Sequence, residues 1–74
     1  MLAPEFELEV FVKRLRELMK DDGISAHKLE GKTGISDTII HNWLNHTYYP
    51  KVNHIFTLAR YFKVRSDYLI GLED

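Results

Sequence analysis

Apolar residues recur at intervals of three and four along nearly the whole chain, and this periodicity constrains the fold more than any other feature. Such spacing is typical of amphipathic helices that bury one face. In the first segment, from about Pro4 to Lys20, the apolar positions are Leu8, Phe11, Leu15, Leu18 and Met19. No segment alternates convincingly with the period of two expected of a strand. The chain is therefore predicted to be all-α.

Short breaks divide the periodic segments into separate helices. Residues 21–23, Asp-Asp-Gly, are predicted to end the first helix. Ser25 is suited to cap a second helix, because its hydroxyl can accept a bond from the free amides, and Gly34 to stop it in a left-handed conformation. Ser36 is suited to cap a third helix that continues to about Asn45.

The second half of the chain predicts two more helices after a polar and aromatic loop that Pro50 closes. The inward face of the fourth helix is predicted at Val52, Ile55, Leu58, Ala59 and Phe62. Ser66 and Asp67 open a short fifth helix before Gly71. Five helices with short connections are expected.

A chain of 74 residues with 45% hydrophobic content can bury one modest core. Residues 1–74 are therefore predicted to form a single domain, with 1–10 as an N-terminal extension of the first helix. There is no cysteine, so packing alone must support the fold. The first ten residues carry three glutamates where a signal peptide needs basic and apolar residues, and we expect a soluble, cytoplasmic protein.

Charge is unevenly distributed along a chain whose net charge is only −1. Residues 38–66 contain no Asp or Glu. The lysines and arginines of that stretch are Lys51, Arg60, Lys63 and Arg65. The segment is therefore suited to form a basic face for nucleic acid, although a chance cluster of solvated charges is the alternative.

Residues 25–36, with the sequence SAHKLEGKTGIS, are followed by Ile40, Trp43 and Asn45, and together they resemble the helix-turn-helix of the Cro/C1-type (Xre) family. Further matches upstream and downstream extend the resemblance from Phe11 to Gly71. The resemblance implies a compact five-helix, lambda-repressor-like DNA-binding domain of bacterial or phage type, with the helix-turn-helix over residues 25–45 at helices 2 and 3.

The third helix has two faces with different predicted roles. Leu29, Ile35, Ile40 and Trp43 are predicted to fill the space between helices 2 and 3. The other face presents short polar side chains that can hydrogen-bond base edges in the major groove. The predicted base-reading residues are Asp37, Thr38, His41, Asn42 and Asn45. Asn42 is the leading candidate, since its amide can both donate to and accept from adenine.

Phosphate contacts are expected from the two rims of the motif, where they position the protein rather than specify sequence. The predicted phosphate-contacting residues are Ser25, Lys28, Ser36, His46, Thr47, Tyr48, Tyr49 and Lys51. The two tyrosines are equally suited to cover part of the core.

Three residues depart from the pattern of the resembled family. Ala26 replaces a common Gln that contacts phosphate, and Glu30 replaces a common Ala that packs near the third helix. Leu44 replaces a Glu that can pair with an arginine of the first helix, so Arg14 is expected to have another partner or none. Ala26, Glu30 and the negative net charge support a rival interpretation, a protein-interaction module of the antitoxin or anti-repressor type on the same scaffold.

The sequence is best explained by a sequence-specific transcriptional regulator, a repressor that binds a palindromic operator in double-stranded DNA as a homodimer. Its dimer surface is expected at the C-terminal residues Tyr68, Leu69, Ile70 and Leu72 or at residues 2–10. An RNA-binding helical module is a less favoured third interpretation, because stacking aromatics and basic stretches are sparse.

Catalysis, cofactors, small-molecule substrates and membrane association are not predicted. No nucleophile accompanies a base and an orienting group, and no glycine-rich phosphate loop is present. The four histidines form no i,i+4 pair and no cysteine accompanies them, so no metal site is predicted.

Overall fold

The computed structural model describes residues 8–72, and it arranges them as five helices without a strand in that range. The helices are α1 (Leu8–Asp22), α2 (Ala26–Thr33), α3 (Asp37–Leu44), α4 (Val52–Phe62) and α5 (Ser66–Leu69). The all-α prediction with a helix-turn-helix at helices 2 and 3 is confirmed. The predicted N-terminal part of the first helix, before Leu8, lies outside the described residues. None of the described helices combines the length and apolar character needed to cross a lipid bilayer.

The first helix ends later than predicted. Asp21 and Asp22 belong to its last turn, so the expectation that they end it was wrong. Gly23 alone reverses the chain, with a φ of 63°, and the Ile24 N–H then donates to the Met19 carbonyl oxygen at 3.0 Å. A left-handed glycine is enough to satisfy the last carbonyls, and exposed aspartates do not interrupt the helical backbone before it.

Asp22 also connects α1 to α4. The Tyr61 hydroxyl donates a hydrogen bond to Asp22 Oδ2 at 3.0 Å. Partial burial of the phenol, this hydrogen bond and the charge of the carboxylate all raise the pKa of Tyr61 above its ordinary value of 10.0.

The turn between α2 and α3 is built as the sequence predicts. Ser25 Oγ accepts from the Lys28 N–H at 3.2 Å, and Ser36 Oγ accepts from the Thr38 N–H at 3.1 Å. Gly34 adopts a φ of 80°, and its N–H donates to the Glu30 carbonyl oxygen at 2.8 Å. Both helices therefore begin, and α2 ends, through bonds between residues close in sequence.

The core collects residues from all five helices. Its buried members are Phe11, Val12, Leu15, Met19, Ala26, Leu29, Ile35, Ile40, Trp43, Leu58, Ala59 and Leu69. The predicted packing of Leu29, Ile35, Ile40 and Trp43 is confirmed. The centroid of the Trp43 ring lies 5.6 Å from that of Phe11 in α1 and 5.5 Å from that of His54 in α4, and both contacts are edge to face. The third helix is therefore packed against two other helices.

Two predictions about buried faces need correction. Val52 was predicted to face inward, but it is 67% exposed. The buried residues of α4 are Leu58 and Ala59, and the first turn of the helix extends beyond the core. Leu69 was a candidate for the dimer surface, but it is fully buried, since α5 packs against both α1 and α4. Tyr68 and Ile70 are partly buried, whereas Leu72 is exposed.

Candidate nucleic-acid interface

The third helix buries one face and leaves a polar face uncovered. Ile40 and Trp43 point into the core. On the opposite side, Thr38, His41, Asn42 and Asn45 follow one another at i, i+3, i+4 and i+7, which places them on one stripe of the helix. We call these four residues the polar stripe. Thr38, His41 and Asn45 are exposed and Asn42 is half-buried, so four of the predicted base-reading residues lie together on an accessible surface.

Asn42 lines a surface cavity of ≈ 270 Å³ between α3 and the following loop. The residues lining it are Ile39, Asn42, Trp43, Tyr48, Tyr49, Lys51 and His54. Three predicted phosphate-contacting residues of the loop, Tyr48, Tyr49 and Lys51, therefore lie beside the leading base-reading candidate. The tyrosines are 60% and 63% exposed, which favours a surface role over the alternative of core cover.

The direction of this loop is set at the C-terminus of α3. His46 adopts a φ of 59°, and its N–H donates to the Trp43 carbonyl oxygen at 2.9 Å. The Thr47 N–H donates to the Asn42 carbonyl oxygen at 2.8 Å, which completes a Schellman motif. The sequence did not indicate this motif, because glycine usually occupies the left-handed position.

His46 is separated from the other loop residues by this turn. Its side chain lines a second, larger groove of ≈ 590 Å³ beside α1. Among residues 8–72, the others that line this groove are Glu9, Val12, Lys13, Arg16, Glu17 and Lys20. The structure therefore brings Tyr48, Tyr49 and Lys51 to Asn42 but directs His46 toward α1, while Thr47 is exposed between them.

On the other rim, the N-terminus of α2 carries no acidic residue in its first turn, whereas that of α3 already holds the Glu30 carboxylate. Ser25 and Ser36 each use a hydroxyl lone pair to cap a helix, which leaves the O–H able to donate to a phosphate oxygen. Amide groups at a helix N-terminus attract anions, and exposed Lys28 adds a positive charge in the first turn of α2. The predicted roles of these residues remain predictions.

Glu30 and Asp37 connect the two helices of the motif. Glu30 is half-buried, and its Oε1 accepts from the Asp37 N–H at 3.1 Å, which adds a cap from α2 to the start of α3. Asp37 Oδ2 lies 3.7 Å from His27 Nδ1, so this predicted base-reading carboxylate is turned toward α2, away from the polar stripe. An acid facing a helix N-terminus is favourable, and this is the physical basis of the departure at Glu30.

The other two departures also have a structural explanation. Ala26 is buried in the core. Arg14, which lacks the expected glutamate because Leu44 stands there, donates from Nη1 to the Tyr68 carbonyl oxygen, and its guanidinium lies 4.4 Å from the centroid of the Tyr68 ring. Arg16 Nη2 donates to the Leu44 carbonyl oxygen at 3.0 Å. Arg14 thus connects α1 to α5, a contact that no sequence pattern indicated.

A family model described as a helix-turn-helix domain matches residues 12–74, which include every helix of the interface. Comparison with curated proteins and with solved structures gave no match. The matched range contains α2, α3 and the turn between them. The chain therefore belongs to the helix-turn-helix domain family, a DNA-binding regulatory fold of the type found in Cro/C1-like regulators.

Proposed function

We propose that this protein is a sequence-specific transcriptional regulator, a repressor that inserts α3 into the major groove of double-stranded DNA. The polar stripe carries the proposal. A stripe of hydroxyl, imidazole and amide groups on the second helix of the motif offers the donors and acceptors that base edges require. The apolar side of the same helix is fixed in the core by Ile40 and Trp43, so the stripe is held in one orientation.

Within this proposal, Asn42 is the principal base-reading residue, with adenine as its preferred base. Its position beside Tyr48, Tyr49 and Lys51 supports a docking in which the loop meets the DNA backbone while the amide meets a base edge. On the other rim, the N-terminus of α2 would hold a phosphate through Ser25 and Lys28, and the Ser36 hydroxyl would donate to a phosphate oxygen. Asp37, whose carboxylate faces His27 of α2, is not assigned a base in this proposal.

We further propose that the chain acts as a single domain that dimerises on a palindromic operator. The α4 residues Val52 and Phe56 lie one turn apart and are 67% and 57% exposed. Large apolar side chains at i and i+4 that no other described element covers are suited to a self-complementary contact. We call Val52 and Phe56 the exposed row of α4, and it replaces the buried Leu69 as the preferred dimer surface.

Selection from random-sequence duplex DNA at low salt, followed by sequencing, tests the proposal. We expect a palindromic consensus. On the selected site, Asn42→Ala should lower the discrimination at one base pair of each half-site by about 1–3 kcal/mol, the contribution of a bidentate amide–adenine pair. Asn53→Ala removes an exposed asparagine of α4 outside the interface and is the matched control.

Each outcome of that experiment bears on a different interpretation. A palindrome whose selectivity depends on Asn42 supports the regulator. Enrichment that Asn42→Ala leaves unchanged would contradict the assigned base-reading residue. No enrichment at any salt concentration, together with one co-purifying protein, would favour the protein-interaction module.

A further inference from the structure

We propose that His27, Glu30 and Asp37 form a zinc site that joins α2 to α3 across the turn of the helix-turn-helix. Their candidate ligand atoms all lie within 4.8 Å of one another, and this is the only such group among residues 8–72. His27 and Glu30 are three residues apart on α2, and Asp37 is the first residue of α3. The absence of an i,i+4 histidine pair does not bear on this site, since its ligands come from two helices.

The donor set is the type that zinc accepts. One imidazole nitrogen and two carboxylates are ordinary zinc ligands, and three protein ligands leave a fourth position for water or an anion. The His27 Nδ1 to Asp37 Oδ2 distance of 3.7 Å is close to the separation of roughly 3.4 Å between two ligands of a tetrahedral zinc ion, as bond lengths near 2.1 Å require. The candidate ligand atoms, all within 4.8 Å of one another, would have to approach to about this separation when zinc binds.

Glu30 is able to bind an ion and keep its structural role. Oε1 already accepts from the Asp37 N–H at 3.1 Å, and the second carboxylate oxygen is available to a cation. The His27 side chain is 87% exposed and the Asp37 side chain 39%, so an ion can enter without a change in the backbone. The existing hydrogen bond holds one ligand in place, which lowers the ordering cost of binding.

Occupation of the site would change the charge of the DNA-facing motif. The two carboxylates carry negative charge at the start of α3, where they repel phosphate, and a divalent cation neutralises them. Bound zinc should therefore raise DNA affinity and also stabilise the motif. The effect on DNA rests on the proposed function, whereas zinc binding and stabilisation do not.

The test is calorimetric titration of the purified, EDTA-treated chain with zinc chloride, with thermal unfolding measured in parallel. We expect one zinc ion per chain and an unfolding midpoint raised by about 5 °C at saturation, as expected when a ligand binds only the folded state of a small domain. Magnesium chloride should have no effect, because magnesium prefers oxygen ligands and retains its water.

Two variants identify the ligands. His27→Ala should weaken zinc binding at least roughly tenfold, the loss that even a change beside a metal site typically produces. Glu30→Gln retains an oxygen that can accept from the Asp37 N–H but loses the carboxylate, so it should also weaken binding while the apo protein stays folded. His41→Ala, which removes an exposed imidazole outside the cluster, is the control and should bind zinc normally.

The proposal is overturned if the wild-type chain binds no zinc, or if His27→Ala and Glu30→Gln bind it as tightly as wild type. A loss in His41→Ala equal to that in His27→Ala would assign binding to scattered histidines and would overturn it as well. A DNA titration with and without zinc then tests the regulatory consequence. Absence of DNA binding under both conditions would count against the proposed function and leave the zinc result intact.

Discussion

Two glycines near the end of α2 have opposite conformational requirements, and both have open space where a Cβ would lie. Gly34 has a φ of 80°, which L side chains rarely adopt, whereas Gly31 is inside the helix. The two positions therefore separate backbone conformation from packing. A substitution by alanine changes only the conformational term at each of them.

Gly34→Ala should lower the free energy of unfolding by about 1 kcal/mol, because alanine in the left-handed region is strained. Gly31→Ala should raise it by roughly 0.5–1 kcal/mol, because glycine within a helix loses more backbone entropy on folding than alanine does. Urea unfolding followed by circular dichroism measures both. Equal effects of the same sign at the two positions would contradict this account of the turn.

The N-terminus of α3 shows how single residues connect elements. The Ser36 hydroxyl caps it from within the turn, and Glu30 adds an acceptor from α2. A helix of eight residues is too short to be stable alone, so these bonds and the burial of Trp43 determine its orientation. The precision of the polar stripe thus depends on residues that do not belong to it.

At the scale of elements, α5 depends on α1. It has only four residues, and its ordered state rests on buried Leu69 and on Arg14, which donates to the Tyr68 carbonyl oxygen and lies over the Tyr68 ring. Neither helix can hold this arrangement without the other. The contact joins positions 54 residues apart and closes the domain.

Arg14→Ala should therefore destabilise the fold by about 1–3 kcal/mol through loss of a charge-assisted hydrogen bond and a cation–π contact. The Ile70 N–H donates to the Ser66 carbonyl oxygen at 3.1 Å. In Arg14→Ala, hydrogen exchange at this amide should accelerate more than exchange in α2. Lys13→Ala, at the neighbouring exposed position, is the control and should change stability by less than about 0.5 kcal/mol. Uniform acceleration across all helices would argue against a local role.

At the scale of the whole molecule, the described residues offer two candidate surfaces for the proposed dimer, which a pair of variants can separate. Most of the third candidate, residues 2–10, lies outside the described residues. Phe56 lies on the exposed row of α4, and Leu72 lies near the C-terminus with 69% exposure. A glutamate introduced at a two-fold interface meets its own copy and buries charge, whereas one introduced on a free surface costs little.

Phe56→Glu should weaken self-association at least roughly tenfold, which corresponds to a loss of about 1.4 kcal/mol. Leu72→Glu should leave it unchanged. Sedimentation equilibrium measures both, and circular dichroism checks that each variant is folded. The reverse result would place the interface at the C-terminal segment, and a wild-type chain that remains monomeric with and without its operator would exclude the dimer.

Much of this architecture followed from interactions between residues close in sequence. The periodic apolar positions predicted α1, α3 and α4, and the turn residues Ser25, Gly34 and Ser36 predicted where α2 and α3 begin or end. Capping bonds span two to four residues and therefore depend on the local sequence. The extension of α1 through Asp22 was missed because acidic residues are weak helix breakers compared with the glycine that follows.

The sequence by itself determined the helical class and the position of the motif, since both depend on periodicity and on local capping. It also indicated the four residues of the polar stripe, but it grouped Asp37 with them, and the packed helices turn that carboxylate toward His27. Only the tertiary structure decided which apolar side chains are covered, because burial depends on what another element places opposite them. Val52 and Leu69 have similar hydrophobicity, but α4 extends beyond the core at one and α5 is packed against α1 and α4 at the other. The approach of Glu30 and His27 to Asp37, and of Arg14 to Tyr68, likewise required the packed helices, since these pairs meet across turns or from opposite ends of the chain.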